Sequence, residues 1–318
     1  MRLPFSSSAL WATRLLVLVT TAGSLARAAE YCNNCTNESP EPILAAPAPW
    51  ILTGRAYAIP IVPLSLDLPD KTFHPLERTV GNYTAGTFRG ILGTILLVRY
   101  DDSPVGPYDE FIVIPGTFSY DKEGVEQLRL RIGRIYVSQK YTTWNGRSNW
   151  NIPKHLARFD WTSHPGGGES VKIYPYDTSG SLSSAIAQET GPSAKPFFSM
   201  TFAPTIPVQI PFTTDVFGWL GMEATTLGHP PIPEGNGVYD ELPGTDFWAH
   251  TVFGLKGSKA SLGLMDLRQA ETDEVVSGRN AVGDEVFPNF WPGMPRWNVA
   301  LKLTDAMISF SDPETWVV

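Results

Sequence analysis

The sequence predicts a mainly β protein of the α+β class, built from many short antiparallel strands and few helices. From residue 50 onward, aromatic and β-branched residues occur in short runs that glycine and proline interrupt. The chain has 28 prolines in 318 residues, which is above the usual share of about 5%, and proline shortens both helices and strands. Many short strands separated by turn residues are typical of a barrel or a sandwich.

Three parts of the chain show strand patterns most clearly. Residues 111–114 form a continuous apolar run, which indicates a strand buried on both faces. Residues 128–132 alternate between apolar and basic, and Gly133 interrupts this pattern before residues 135–137, which indicates a bulge. Residues 297–303 again alternate, which predicts a strand with one buried face.

Helices are predicted at only two segments, 182–189 and 259–270. The three glycines at 166–168 follow a proline and predict an exposed loop. The rest of the chain has no internal repeat. Residues 49–318 are predicted to form a single domain.

The N-terminus has the pattern of a secretory signal peptide. Arg2 and Arg14 precede a short apolar core at residues 15–19, and small residues follow up to an Ala-x-Ala pattern that ends at Ala28. The apolar stretch is shorter than the roughly 20 residues of a membrane span. We therefore expect residues 1–28 to be removed and the protein to be secreted; the alternative is an uncleaved anchor.

Residues 29–48 are predicted to be a disordered segment that carries glycans. The segment is rich in Asn, Ala, Glu and Pro and shows no hydrophobic period. Asn34 and Asn37 each begin an Asn-x-Ser/Thr sequon, and Asn82 begins a third. In a secreted protein these asparagines are candidate glycosylation sites.

Cys32 and Cys35 are the two cysteines of the chain and form a Cys-x-x-Cys pair. The pair lacks the βαβ surroundings of a thiol redox motif, so a local or intermolecular disulfide in the tail is favoured. Structural zinc needs four ligands as a rule, and there is no second pair. The five histidines also lack metal-binding spacings, so no metal and no cofactor are predicted.

The composition excludes several classes of function. The net charge is −8 and no basic patch is present, which argues against nucleic acid as a partner. No later segment has the length and apolarity of a membrane span. The Gly-x-Ser-x-Gly elbow of serine hydrolases is missing. The sequence does not exclude the pair of catalytic carboxylates of a glycosidase, because such residues are often distant in sequence.

Lys154 is the residue whose surroundings suggest chemistry most clearly. It follows Pro153 and lies among Trp150, Ile152 and Leu156. Burial in apolar surroundings lowers the pKa of a lysine, and a neutral amine can condense with a carbonyl group to form a Schiff base. The alternative is a solvated lysine with its stem on apolar surface.

The segments around Lys154 resemble the acetoacetate decarboxylase family. Gly146-Arg147, followed by Pro153-Lys154-His155-Leu156, is similar to the family's Gly-Arg-Glu run and its Pro-Lys-Lys-Leu motif. The longer segment resembles divergent, uncharacterised fungal members, and the resemblance is strongest over residues 49–162. It implies that Lys154 is the Schiff-base residue and that the substrate is a small carbonyl compound.

The same resemblance implies a fold and an assembly. Family members enclose their site in a β-barrel with a flanking antiparallel sheet and few short helices, so we expect the barrel to enclose Lys154. It also implies a homo-oligomer.

Two further motifs extend the resemblance. Gly106-Pro107-Tyr108-Asp109-Glu110 resembles the family's Gly-x-Tyr-x-Glu, which implies a catalytic role for Glu110. Gly54-Arg55-Ala56-Tyr57 is similar to an Asn-Arg-Glu-Tyr segment, which implies that Arg55 acts in catalysis by holding the substrate's carboxylate or oxygen. Arg55 and Glu110 are also candidates for an ion pair with each other.

Several residues near these motifs have more than one possible role. Ile95 stands where the family has a second acidic residue, so we expect an apolar contact with substrate there. Trp150 is a candidate for lining the site, with core packing as the favoured alternative. His155 replaces the second lysine: it either modulates the pKa of Lys154 or, as we favour, points away from it, as neighbours in an extended segment do. Arg147 is expected to be a structural brace.

Together these residues predict a Schiff-base-forming lyase that acts on a small keto acid or related carbonyl compound through Lys154. The reaction is a decarboxylation, or an aldol or dehydration step that uses the same imine. The alternative is a non-catalytic protein that binds a small molecule on the same scaffold, which the missing acid at Ile95 favours. A purely structural protein is a third hypothesis.

Overall fold

In a computed structural model of this chain, the structure describes residues 36–40, 42–61, 66–68, 72–78, 85–91, 93–179, 188–193, 196–205, 209–215, 225–267 and 298–317. The strands are β1 (Trp50–Ile61), β2 (Thr87–Gly90), β3 (Gly93–Asp102), β4 (Tyr108–Ile114), β5 (Thr117–Lys122), β6 (Val125–Leu130), β7 (Arg134–Val137), β8 (Lys154–Ser163), β9 (Glu169–Ser179), β10 (Gln188–Pro192), β11 (Phe198–Pro204), β12 (Ile210–Thr213), β13 (Thr226–His229), β14 (Trp248–Asp266), β15 (Val299–Phe310) and β16 (Glu314–Trp316). The helices are α1 (Pro75–Arg78) and α2 (Lys140–Trp150), and Pro165–Gly167 form a 3₁₀ turn. The prediction of a mainly β fold with few short helices is confirmed.

Nine of the described strands pair in a ring. The pairings run from β1 through β3, β4, β7, β8, β9, β11, β14 and β15 back to β1, and only the step from β7 to β8 is parallel. Aromatic contacts cross the interior: the ring centroids of Phe111 and Phe198 lie 4.7 Å apart, and those of Tyr57 and Phe202 lie 5.3 Å apart. Side chains therefore fill the interior, as they do in small β-barrels.

The remaining strands flank this ring. β13 pairs with the first half of β14 and leads through β6 and β5 to β2, while β16 also pairs with β14. At the other edge, β10 pairs with β9, and β12 pairs with β14. These pairings supply the flanking sheet that the resemblance implied.

Strand alternation produces two apolar cores. One core fills the interior of the ring and includes Tyr57, Phe111 and Phe198. The other core lies on the opposite face of β1, β3, β4 and β7, beneath α2, and includes Trp50 and Trp150. Successive residues of one strand therefore enter different cores.

Helix α2 was not predicted, because its sequence has no apolar stripe of helical period. Most of its side chains are nonetheless buried, including Thr142, Asn145 and Arg147. Tertiary hydrogen bonds hold them: Asn145 donates to the carbonyl of Leu44 at 3.0 Å and accepts from the amide of Ala46 at 2.6 Å. Distant partners rather than local propensity stabilise this helix.

Described residues of the segment 29–48 also form hydrogen bonds with the part of the chain around α2. Within residues 36–40 and 42–48, Ser39 accepts a hydrogen bond from Lys140, and the side chain of Asn37 donates to the carbonyl of Ser138 at 3.0 Å. Asn34, Asn82, Cys32 and Cys35 lie outside the described residues.

Two local predictions were wrong. Residues 259–266 belong to β14 rather than to a helix, because they pair with both β11 and β15. Gly133 does not mark a bulge, since β6 and β7 are separate strands with different partners. Of the helix predicted at 182–189, residues 188 and 189 lie in β10 and the rest falls outside the described residues. Gly166 and Gly167 are exposed, as predicted, whereas Gly168 is buried.

None of the helices in the described part of the chain has the length and apolar character that crossing a membrane requires.

Candidate active site

Lys154 forms a buried pair with Glu110. Its Nζ lies 2.7 Å from Glu110 Oε2 and donates a hydrogen bond to Thr142 Oγ1 at 2.8 Å. The side chains of the lysine and the glutamate are 3% and 1% exposed. An amine and a carboxylate are therefore in direct contact with almost no access of water.

The pairing of β4, β7 and β8 brings the two residues together. Glu110 lies opposite Val137 on β7, and Lys154 lies opposite Ile135 two residues earlier on the same strand. Residues two apart on a strand share a face, so both side chains emerge on the side that α2 covers. Thr142 on α2 completes the contact.

Gly146 on α2 allows the helix to lie directly on the lysine. A Cβ atom at this position would come within 2.7 Å of both Cδ and Cε of Lys154. No side chain tolerates such a distance without a shift of its neighbour. The glycine of the Gly-Arg motif is therefore explained by the close approach of α2 to the lysine stem.

Two tyrosines lie beside the Glu110 carboxylate and the Lys154 amine. Tyr100 donates a hydrogen bond to Glu110 Oε1 at 2.9 Å, and its ring lies 4.5 Å from that of Tyr108. The Lys154 nitrogen lies 5.1 Å from the centroid of the Tyr108 ring, within the range of a cation–π contact. Burial raises the pKa of both tyrosines well above 10, so both keep their protons at neutral pH.

Burial lowers the pKa of Lys154 below its usual value of 10.5. The negative charge of Glu110 and the hydrogen bond to it act in the opposite direction and offset part of the effect. The net direction favours the neutral amine, the form that attacks carbonyl groups.

Arg55 does not lie with these residues. Its side chain, which is 34% exposed, pairs with Glu169 at 3.0 Å, and Glu169 also accepts hydrogen bonds from Tyr57 and Lys302. Arg55 pairs in register with Arg99, which belongs to the face of the sheet opposite to Glu110. The predicted ion pair between Arg55 and Glu110 is therefore wrong.

The structure places Ile95 and Trp150 in the two apolar cores. Ile95 is fully buried in the core inside the ring and pairs with Val113, on the face opposite to Glu110. Trp150 packs edge-on against Trp50 at 5.2 Å, which is the core packing that the sequence favoured.

The ring interior does not enclose Lys154. The residue points away from the interior, toward Thr142 and Gly146 of α2. The expectation that the barrel encloses the lysine is therefore wrong, and burial between the sheet and α2 supplies the dry surroundings instead.

His155 points to the opposite side and belongs to a second buried network. Its Nδ1 donates to Glu189 Oε1 at 2.5 Å, and its Nε2 lies 3.0 Å from Glu77 Oε2. Burial alone would lower the pKa of His155, but the charges of Glu77 and Glu189 outweigh burial and raise it to about 9. His155 does not contact the Lys154 amine.

Arg147 connects the second network to Lys154. Its Nη1 donates to Glu77 Oε1 at 2.9 Å and to the backbone carbonyl of Lys154 at 3.3 Å. Further bonds reach the carbonyls of Pro233 and Pro243. Arg147 is thus a brace in this structure, which is the role that the sequence favoured.

Sequence reasoning missed most of the partners of Lys154 and His155. Tyr108 could have been found, because it precedes Glu110 by two residues in the Gly-x-Tyr-x-Glu motif and so shares its face. Thr142 and Tyr100 carry no such signal. The described residues also bring His74 and Glu77 to His155, and the ring of His74 stacks on that of His155 with the centroids 3.5 Å apart.

Comparison with known proteins gives partial matches. No protein-family model matches the chain. Over 115 residues it is 30% identical to Protein NEOXANTHIN-DEFICIENT 1 of Oryza sativa subsp. japonica and to the protein of the same name in Arabidopsis thaliana. The match covers 36% of this chain and 34% and 37% of those two proteins, so it spans about a third of the length of these curated relatives.

Solved structures match over more of the chain. The acetoacetate decarboxylase of Legionella pneumophila has a TM-score of 0.47 and 12% identity, and the match covers 88% of this chain and 93% of that one. An acetoacetate decarboxylase-like enzyme of Sphingomonas wittichii has a TM-score of 0.46 and 8% identity, with 86% and 94% covered. The enduracididine biosynthesis enzyme MppR has a TM-score of 0.45 and 11% identity, with 86% and 90% covered. Acetoacetate decarboxylases and related enzymes are thus among the solved structures that this chain resembles.

Proposed function

We propose that the protein is a lyase that forms a Schiff base between Lys154 and a small keto acid or related carbonyl compound. One observation carries the proposal: the Lys154 amine lies in a buried contact of 2.7 Å with the carboxylate of Glu110. A buried lysine with a carboxylate beside it has both a nucleophile and a group that can take its proton.

The chemistry follows from the neutral amine. The amine adds to the substrate carbonyl, and loss of water gives a protonated imine. In a β-keto acid, the bond to the carboxylate carbon then breaks, carbon dioxide leaves, and the electron pair moves to the imine nitrogen to give an enamine. Protonation of the enamine at carbon and hydrolysis by water release the ketone and return the amine of Lys154.

Glu110 moves the protons in this proposal. It accepts the proton that Lys154 must lose before attack, and it returns a proton when the enamine is protonated. Tyr100 fixes one oxygen of the carboxylate by a hydrogen bond at 2.9 Å and leaves the other oxygen facing the amine. Thr142 orients the amine from the side of α2.

Arg55 has no part in these steps. Its side chain lies on the other face of the sheet and pairs with Glu169, so the proposal assigns it no contact with the reacting carbon.

Reductive trapping tests the proposal. The full-length protein is incubated with a panel of keto acids, borohydride is added, and the adduct is located by mass spectrometry. We expect labelling at Lys154 and none in Lys154→Arg, since arginine keeps the positive charge but forms no imine. Lys140→Arg is a matched control, because Lys140 is also buried at 4% exposure and should not affect labelling. An adduct that persists in Lys154→Arg, or no adduct with any compound, would contradict the proposal.

A second candidate function is non-catalytic binding of a small molecule on the same scaffold. It is favoured by the closed packing around the amine, where Thr142 and Gly146 already contact Lys154. A surface cleft of about 660 Å³ lies elsewhere, between Pro231–Glu234 and Pro243–Asp246. Saturable binding of a carbonyl compound without turnover and without trapping at Lys154 would identify this second function.

The proposal also includes secretion. Its support is the signal-type N-terminus, with Arg2 and Arg14 before a short apolar core and a cleavage pattern that ends at Ala28. Expression in a eukaryotic host followed by N-terminal sequencing of protein in the medium tests this part. We expect the mature chain to begin at Ala29.

A further inference from the structure

We propose that residues 36–40 and 42–48, called the strap below, hold α2 closed over the Lys154 amine, and that substrate enters when this contact is released. The inference rests on the proposed function, because it concerns how a carbonyl compound reaches the amine. The Lys154 side chain is 3% exposed. Entry therefore requires part of the cover of the amine to move.

Helix α2 is the part of this cover that is free to move. Tyr108 and Glu110 lie on β4, which pairs with β3 along one edge and with β7 along the other. Displacing such a strand would break backbone hydrogen bonds on both edges. Thr142 and Gly146, which contact Lys154 from the opposite side, lie on a helix of 11 residues outside the sheet.

The sequence of α2 favours a helix only weakly. Between Thr142 and Asn149 it contains two threonines, two asparagines, a serine and a glycine, all of which are poor helix formers. A helix of this length is not stable by itself in water. Gly146, which permits the close approach to Lys154, weakens the helix further. Tertiary contacts therefore decide whether α2 stays closed.

The two ends of α2 are held by the body of the protein. The side chain of Gln139, just before the helix, donates to the carbonyls of Val105 and Pro107, both at 3.0 Å. Arg147 donates to the carbonyl of Pro243 at 3.0 Å, among its other bonds. These contacts lie on either side of residues 142–146, which cover the amine.

The strap holds the middle of α2 from outside, through Asn145. The side chain of Asn145 donates to the carbonyl of Leu44 at 3.0 Å and accepts the amide of Ala46 at 2.6 Å. Asn145 is fully buried. The turn of helix that carries both Thr142 and Gly146 is thus bonded directly to the strap.

The strap also binds the start of α2, through Asn37. Its side chain donates to the carbonyl of Ser138 at 3.0 Å and accepts the amide of Lys140 at 2.8 Å. Each hydrogen bond of this kind contributes only modestly to stability. The strap can therefore detach, and α2 loosen, in a local opening that leaves the sheets intact.

Arylation by 1-fluoro-2,4-dinitrobenzene tests the inference. The reagent reacts with a free amine without forming an imine, so it measures access to Lys154 rather than lyase activity. The rate at Lys154 in the full-length protein is measured by peptide mass spectrometry, relative to the exposed Lys256 of the same sample. Asn145→Ala should raise this relative rate about tenfold, although alanine is the better helix former. Ser148→Ala is the matched control on the same helix, at a half-buried position, and should not raise the rate.

A variant of the strap itself keeps the inference testable if Asn145→Ala does not fold. Asn37→Ala removes the two bonds to the start of α2 and should raise the rate about threefold. Ser39→Ala is its control, since it removes the Asn-x-Ser sequon that begins at Asn37 but leaves the side chain of Asn37 in place. It should react like the wild type. Wild-type rates in folded Asn37→Ala and Asn145→Ala, or equal increases in the two controls, would overturn the proposal.

Trapping with keto acids separates this inference from the proposed function. Faster arylation in Asn145→Ala, with no keto acid adduct in any variant, would support the strap and contradict the lyase. An adduct at Lys154 that forms equally fast in the wild type and in Asn145→Ala would support the lyase and contradict the strap.

Discussion

Lys154 and His155 are neighbours on β8, yet their two buried surroundings have opposite electrostatic effects. Lys154 faces α2 and has one carboxylate, Glu110, at 2.7 Å. His155 faces the other side and has two, Glu77 and Glu189. Burial disfavours the charged form of both residues. For Lys154, the effect of burial is larger than that of its one carboxylate, and the pKa falls. For His155, the two carboxylates outweigh burial, and the pKa rises to about 9.

The comparison shows how one strand can present two neighbouring basic side chains to surroundings with opposite effects on their pKa values. Strand alternation separates the two side chains by the thickness of the sheet. The number of carboxylates on each side then decides whether the pKa of the basic group falls or rises. Arg147 joins the two regions, because it donates both to Glu77 and to the carbonyl of Lys154.

The largest expected difference between the two regions is in stability. Glu77→Gln removes the charge that faces Arg147 and His155, and breaking a buried charge network in this way costs about 3–5 kcal/mol of unfolding free energy. Glu110→Gln should cost less, about 1–3 kcal/mol, because glutamine still accepts the hydrogen bond of Tyr100. Urea unfolding of the wild type and the two variants measures both values. Equal losses, or a larger loss for Glu110→Gln, would show that the two regions are not organised as described.

A smaller effect should follow from crowding the lysine. Gly146→Ala places a Cβ atom 2.7 Å from the Lys154 stem, and overpacking of this kind costs about 1–3 kcal/mol. Part of that loss is offset because alanine is the better helix former. Trapping at Lys154 should fall severalfold as the amine is displaced. Gly191→Ala is the control, since a Cβ atom there meets no other atom within 4 Å, and it should leave trapping intact. If both variants label equally, the close approach of α2 has no chemical importance.

The smallest effect concerns Asp109, which lies next to Glu110 on the other face of the sheet. Burial raises its pKa from 3.8 to about 6, although Arg99 opposes the shift. A carboxyl group with a raised folded-state pKa favours folding below pH 3.8, and this contribution is lost as pH rises through about 6.

Through this group, the free energy of unfolding of the wild type should fall by about 1–2 kcal/mol between pH 4 and pH 7. Asp109→Asn should abolish that fall. Chemical unfolding of both proteins across that range provides the measurement. Parallel pH profiles for wild type and variant would rule out the raised pKa.

The sequence predicted the strand at residues 111–114, because a continuous apolar run carries that information, and the short motifs singled out both Lys154 and Glu110. It could not place Arg55 or Ile95. Both positions depend on strand register, and a difference of one residue moves a side chain to the opposite face. Ile95 pairs with Val113, three residues from Glu110, and so lies on the wrong face to meet it.

Long-range contacts account for the other failures. Helix α2 is buried through polar side chains whose partners are about a hundred residues away, such as Leu44 for Asn145. The network around His155 likewise depends on Glu77 and Glu189, which are 78 and 34 residues distant. No local pattern predicts either arrangement.

The central claim is that burial lowers the pKa of the Lys154 amine. Nuclear magnetic resonance of protein labelled with ¹⁵N at the lysine Nζ measures this directly, with Lys154→Arg to assign the signal. We predict that Lys154 titrates below the exposed lysines, and that Glu110→Gln lowers its pKa further because the charge of Glu110 raises it. A Lys154 signal that titrates together with the exposed lysines would contradict the account.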